Sequence, residues 1–180
     1  TLFRSSSTNA GTVTGACTFN STASITSVGL VDGVCTFNNT SSLAGRVTGN
    51  CTFNNTAGVA TTGIIDNPSG TVSFAGTANV CAGNVTCQDV TFASGCSASG
   101  TSSLELTGTA LFQDATNAGA ITGGAVVTFN GSGATNTGTV SASRFYFSGA
   151  SNGAAGNVTA TDVIFDSLGS NAGHITATIV

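Results

Sequence analysis

The sequence predicts an all-β chain, a single parallel β-solenoid of about ten rungs of 16–21 residues that spans residues 1–180 as one repeat domain. Three observations carry that expectation. Phenylalanine recurs along the whole chain, at Phe3, Phe19, Phe37, Phe53, Phe74, Phe92, Phe112, Phe129, Phe147 and Phe165, at intervals of 16, 18, 16, 21, 18, 20, 17, 18 and 18 residues. A ten-residue unit appears three times, as Gly11-Thr-Val-Thr-Gly-Ala-Cys-Thr-Phe-Asn20, Gly29-Leu-Val-Asp-Gly-Val-Cys-Thr-Phe-Asn38 and Gly45-Arg-Val-Thr-Gly-Asn-Cys-Thr-Phe-Asn54. Within the unit Val13, Gly15, Cys17 and Phe19 face one way and Thr14, Ala16 and Thr18 the other, which is the period of a strand.

The chain enters with Thr1-Leu-Phe, the close of a rung, and runs into the first unit. Asn20, Asn38 and Asn54 each follow the Phe directly, where a coil turns a corner and stacked amides form a ladder. Beyond residue 63 the unit fades. A second marker, Thr/Ser-Asn-Ala/Thr-Gly-x-Val/Ile-Thr/Ser, at residues 8–14, 116–122, 135–141 and 170–176, carries the repeat to the C-terminus. The chain leaves as a β-prone strand, residues 175–180.

Gly, Thr, Ser, Asn and β-branched residues disfavour helix interiors. Strands this short are unstable alone, but coiling them pairs each rung with the next and buries one face continuously. Phe then stacks on Phe and Val on Val. At an interstrand spacing of about 4.8 Å, ten rungs make a rod on the order of 50 Å long. Neither end shows a helix, a Lys or a polar cap, so open strand edges are expected there. Two such ends predict head-to-tail stacking into filaments. The alternative is that neighbouring rungs belong to a longer polypeptide, and a start at Thr1 fits a processed protein or a segment of one.

Composition narrows the function classes. Charged residues make up 6% of the chain, against about a quarter in ordinary soluble domains. Hydroxyls and amides must therefore carry its solubility. That balance suits an extracellular, cell-surface or virion-surface setting. The cations are Arg4, Arg46 and Arg144 alone, and the net charge is −4. Scattered arginines make no basic stripe, so nucleic acid is not an expected partner. No apolar run approaches the roughly 18 residues of a membrane helix, so no membrane insertion is expected.

Val13, Phe19, Ile25, Val31, Phe37 and Leu43 are spaced by six. A small residue falls four positions after such apolar positions, at Cys17, Ala23, Gly29, Cys35, Ser41, Cys51, Ala57 and Gly63. This pattern resembles the hexapeptide-repeat, left-handed parallel β-helix with three-sided rungs. The resemblance covers residues 11–63 and favours a left-handed coil there; the extra residue between Val158 and Phe165 breaks it later. The whole repeat also resembles repetitive segments of bacterial and phage surface or fibre proteins, which implies a structural role outside the cell.

Six cysteines fall in two groups. Cys17, Cys35 and Cys51 share an inward column in which buried thiols and disulfides are both open readings. Cys81, Cys87 and Cys96 break that column and are the better candidates for a bridge. No Cys-x-x-Cys occurs and His174 is the only histidine, so neither zinc nor any other cofactor is expected. His174 occupies an outward position, although hexapeptide-fold acyltransferases use a histidine at a subunit boundary. Asp32, Asp66, Asp89, Glu105, Asp114, Asp162 and Asp166 are dispersed, and the rungs leave no long loop to shelter paired carboxylates. The chain is therefore not read as an enzyme.

Asn-x-Ser/Thr at Asn20, Asn38, Asn54, Asn84, Asn130 and Asn157 marks possible glycosylation. Thr18, Thr36 and Thr52, with Thr22, Thr40 and Thr56, form outward columns that resemble ice-binding faces, but the first column decays to Leu111, Tyr146 and Ile164. The expected function is a structural subunit of an extracellular filament, surface layer or phage fibre, with itself as partner. An adhesin or receptor-binding stalk facing glycans or a cell surface is the alternative, then an ice-binding protein.

Overall fold

A computed structural model describes residues 1–166 and 168–179 of the chain; the last residue of the expected C-terminal strand, Val180, lies outside the described residues. The chain is all-β, a parallel β-solenoid of about ten turns. Each turn crosses three sides. The first side carries the Phe strands, such as Cys17–Phe19, Cys35–Phe37 and Cys51–Phe53. The second carries two-residue strands from Thr8–Asn9 and Ser24–Ile25 to Ser151–Asn152 and Ser170–Asn171, stacked as a 10-stranded sheet. The third begins with Thr12–Thr14, Leu30–Asp32 and Arg46–Val47. From Ile64–Phe74 onward the third side often runs into the next first side as one strand, as in Asn84–Phe92, Thr139–Ser148 and Asn157–Phe165. Every pairing is parallel, and the Phe strands pair Phe3 with Phe19, Phe19 with Phe37 and so on to Phe147 with Phe165.

The six-residue spacing is explained by this geometry. Along residues 11–63 each side contributes one large inward residue, and a small residue lies at the corner that follows. Phe19, Ile25 and Val31 are fully buried, as is the corner residue Ala23. The corner between the second and third sides needs glycine because the preceding rung lies against it. A Cβ on Gly45 would sit 2.3 Å from the carbonyl oxygens of Gly29 and Thr26. The corner after Phe3, Phe19, Phe37, Phe53 and Phe112 instead turns through a left-handed residue that is not glycine. Ser5, Ser21, Asn39, Asn55 and Asp114 hold φ between 46° and 59° there, a region that Asn and Asp tolerate better than most side chains.

The Phe ladder is the axis of the core. Neighbouring rings from Phe3 to Phe129 stack at centroid distances of 4.4–4.9 Å, tilted by no more than 10°. One dislocation follows. Phe145, which the regular spacing passes over, pairs in register with Val127 and is completely buried. Its ring lies 5.4 Å from Phe129 and nearly parallel to it, whereas Phe147 is 6.0 Å away and tilted by 29°. The stack recovers at Phe147–Phe165, 4.6 Å apart.

The longest rung, from Phe53 to Phe74, has a register shift between Asn67 and Thr71. Asn50 pins this bulge, its Oδ1 accepting from Asn67 Nδ2 and from the Thr71 backbone N–H, both at 2.9 Å.

Candidate assembly interface

The two ends of the stack are built alike. Leu2–Phe3, Thr8–Asn9 and Thr12–Thr14 pair on one edge only, with the second rung. Among the described residues, Ser170–Asn171 and His174–Ile179 pair only with the preceding rung. Phe3 and Phe165 each stack on one ring face and are half-buried, unlike the fully buried rings between them. Val13 and Ile175 are half-buried for the same reason, and Leu2 is 48% exposed.

Asparagine ladders tie the rungs laterally. The corner ladder expected after Phe is present: Asn38 Nδ2 donates to Asn20 Oδ1 at 2.7 Å, and Asn54 Nδ2 to Asn38 Oδ1 at 2.8 Å. A second ladder lies inside the coil. Asn117, Asn136 and Asn152 are buried and donate in turn, Asn117 to Asn136 at 2.8 Å, Asn136 to Asn152 at 2.9 Å and Asn152 to Asn171 at 2.8 Å. Asn117, Asn136 and Asn171 also accept the backbone N–H two residues on, at Gly119, Gly138 and Gly173. This is why the second sequence marker reads Asn-x-Gly. Its burial escaped sequence reasoning, because asparagine on a polar-looking repeat reads as surface. The usable signal was its position, the one that Ile25 and Leu43 fill earlier in the stack. Asn79, also missed, plugs a corner by donating to the Ala57 carbonyl at 2.6 Å and accepting from Gly76 N–H at 2.6 Å.

All six cysteines are buried free thiols. Cys17, Cys35 and Cys51 stand in one register column, as expected. The bridge anticipated among Cys81, Cys87 and Cys96 is not made in the structure, because the three belong to different columns: Cys81 pairs with Val59 and Ala98, Cys87 with Asn67 and Leu106, and Cys96 turns a corner toward the Gly76 carbonyl at 3.1 Å. Burial pushes the Cys81 and Cys87 thiols up to about 12 and raises Cys51 well above the usual thiol range, with Cys35 beside it adding to the effect. Thiols held protonated are poor nucleophiles and poor metal ligands. Among the described residues no group of three or more His, Cys, Asp or Glu is arranged to hold a metal ion.

The carboxylates act between rungs. Asp66 pairs with Arg46 and Asp162 with Arg144, the latter at 2.8 Å. Asp32 accepts from Thr48 Oγ1, Asp89 from the N–H and Oγ1 of Thr109, and Asp114 from Gly133 N–H. Asp166 accepts from Gly149 N–H, Ser148 Oγ and Leu168 N–H, which together hold its carboxyl below the usual range. Glu105 is exposed on Ser103–Leu106, and His174 is exposed opposite Asn157.

The glycosylation candidates divide by geometry. Asn38, Asn54 and Asn130 already commit the amide nitrogen to a neighbour, and Asn20 accepts within the corner ladder. Asn84 and Asn157 are exposed on strands. Thr18, Thr36 and Thr52 do align in register, but Thr40 and Thr56 turn their hydroxyls to backbone carbonyls of the preceding rung. No helix among the described residues is long and apolar enough to cross a membrane. Compared with known proteins, the chain matches no protein-family model, no curated protein sequence and no solved structure.

Proposed function

We propose that this chain is a structural building block of an extracellular filament, surface layer or phage fibre, a solenoid segment that assembles by stacking its open ends. One observation carries the reading. Within the chain each rung pairs in parallel with its neighbours and lays its Phe ring on theirs, a ladder that nothing in its repeat limits in length. The same rung pairing between copies is an open heterologous contact that propagates.

The six-residue spacing over residues 11–63 supports a coil of the left-handed hexapeptide type. The sparse charge, together with the resemblance of the repeat to bacterial and phage fibre segments, supports a surface location. The carboxylates support a non-catalytic role, since nearly all of them tie one rung to the next. The adhesin reading keeps one specific support, the exposed Asn84 and Asn157 on the flat strands.

Negative-stain electron microscopy and sedimentation over a range of concentrations test assembly. Filaments a single solenoid wide, lengthening with concentration, are the expected result. Dispersed short rods at high concentration defeat the reading, and specific retention on a glycan array by such rods would move the assignment to the adhesin.

A further inference from the structure

Three cysteines stand in a column that does not need sulfur. Cys17, Cys35 and Cys51 lie in register on the Phe strands, and the column continues through Val72, Val90 and Ala110. All of these are buried, so an aliphatic side chain fills the position as well as a thiol does. What consecutive cysteines add is a second thiol within reach. In-register residues on paired strands stand about 4.8 Å apart, inside the Cα range that a disulfide spans. Cys81 and Cys87 face no cysteine across either neighbouring rung.

One pair in the column is the closer. Cys17 Sγ and Cys51 Sγ each lie near the carbonyl two residues back, Gly15 at 3.8 Å and Gly49 at 3.6 Å. Cys51 in addition makes a side-chain hydrogen bond with Cys35, a contact that Cys17 lacks. The rung between Cys35 and Cys51 is a complete one, carrying Asn38 of the corner ladder, buried Leu43 and the crowded Gly45.

We infer that Cys35 and Cys51 form a redox site, joined as a disulfide that staples two successive rungs, and that the bond is made while the coil is closing. A thiolate is the attacking species. In the open chain the Cys35 thiolate attacks one sulfur of a small external disulfide, such as glutathione disulfide, and releases one glutathione. The Cys51 thiolate then attacks the Cys35 sulfur of that mixed disulfide and releases the second. The two cysteines give up two protons and two electrons, and the glutathione disulfide takes them up as two thiols. Once the rungs have closed, burial holds Cys51 protonated and keeps the oxidant out, so reduced protein stays reduced. The same burial protects the finished bond, which needs Cβ atoms about 3.8 Å apart and so draws the two strands together. The extracellular setting proposed above supplies oxidants of this kind, but the chemistry itself does not rest on it.

Refolding from urea in a mixture of reduced and oxidised glutathione tests the site, with thiols alkylated under denaturing conditions and the bridge located by peptide mass mapping. Protein refolded this way should leave four of its six cysteines alkylable and carry the Cys35–Cys51 link. Protein folded reduced and then given the same mixture should form that link at least tenfold more slowly. Cys35→Ala should fold, because Ala110 holds the same position, and should form no link in the column, whereas Cys17→Ala should form it undiminished. Far-UV dichroism establishes that each variant is folded. Oxidative refolding that leaves six free thiols in folded protein, or a principal link other than Cys35–Cys51, overturns the site. Folded protein that oxidises as fast as the refolding chain overturns the timing. None of these outcomes bears on filament assembly, which electron microscopy reads separately.

Discussion

Residues 11–63 and residues 109–175 coil the same way around opposite interiors. In the first region the second side buries Ile25, Leu43 and Val59, with cysteines beside the phenylalanines. In the other region the same column holds Asn117, Asn136 and Asn152, and the column of Cys17, Cys35 and Cys51 passes through Val127 to Phe145. The difference teaches that this fold demands a filled and satisfied position, and that either an aliphatic group or an amide can supply it. On this side an amide succeeds only in company, whereas at the corner Asn79 is met by backbone groups. Each rung presents the same donor and acceptor at the same height, so asparagines stacked in register satisfy one another, whereas a single asparagine would bury an unmet group.

The sharpest way to separate the regions is alkali. All six cysteines lie between residues 17 and 96, and the chain has no Lys, so few other groups titrate above pH 9. The Cys81 and Cys87 thiols stand at about 12 in the folded chain against 9.0 when unfolded. A raised folded value means full stability below pH 9 and a progressive loss as pH climbs from 9 toward 12. By pH 10.5 the two thiols give up roughly 4 kcal/mol together, at about 1.4 kcal/mol per pH unit each. Urea midpoints at pH 8 and 10.5 should differ accordingly, and proteolysis at pH 10.5 should cut first within residues 17–96. Equal midpoints, or first cuts among the buried asparagines, would remove the thiols from this role.

Exchanging the two interiors locally is the next test. Leu43→Asn sets one amide between Ile25 and Val59, with no ladder to join. It should lose about 3–4 kcal/mol from the missing apolar burial and the unmet amide. Asn136→Leu takes the acceptor from Asn117 and the donor from Asn152, and it removes the partner of Gly138 N–H. The new apolar burial offsets part of that, leaving a loss of about 2–3 kcal/mol. Both follow from thermal melts of single variants. An Asn136→Leu protein as stable as the parent would show that the inner ladder is incidental.

The coil itself was legible because its signals are one-dimensional. Phe19, Phe37 and Phe53 repeat at the rung length, and strict alternation around them names the buried face. The corner ladder at Asn20, Asn38 and Asn54 could also be foreseen, since an amide after a buried Phe must face a turn. Two features stayed hidden for physical reasons. Phe145 sits two positions before a ladder Phe, so counting rung lengths passes over it, and only the register opposite Val127 shows that it displaces the stack. Asn117, Asn136 and Asn152 carry a side chain whose usual home is the surface, and burial becomes tolerable only through neighbours 16 and 19 residues away. Which thiols meet was likewise beyond spacing, because Cys87 stands two positions past Val85 on the third side, opposite Asn67 and Leu106, and not in the column of Cys51.

The smallest expected effect probes the corner shared by both regions. Ala23, Ala57, Ala115, Ala134 and Ala150 fill that corner in half of the rungs, whereas Ser7 and Ser41 place there a hydroxyl that is buried without a hydrogen-bond partner. Ser41→Ala removes the unmet group and keeps a residue that the neighbouring rung already accommodates at Ala57. A buried unpaired hydroxyl costs about 1–3 kcal/mol, and the variant should recover about 1 kcal/mol of it, seen as a higher urea midpoint with an unchanged slope. A loss of stability would mean that the hydroxyl has a partner, and that this corner of the aliphatic region is held by the same amide-and-hydroxyl logic as the far end.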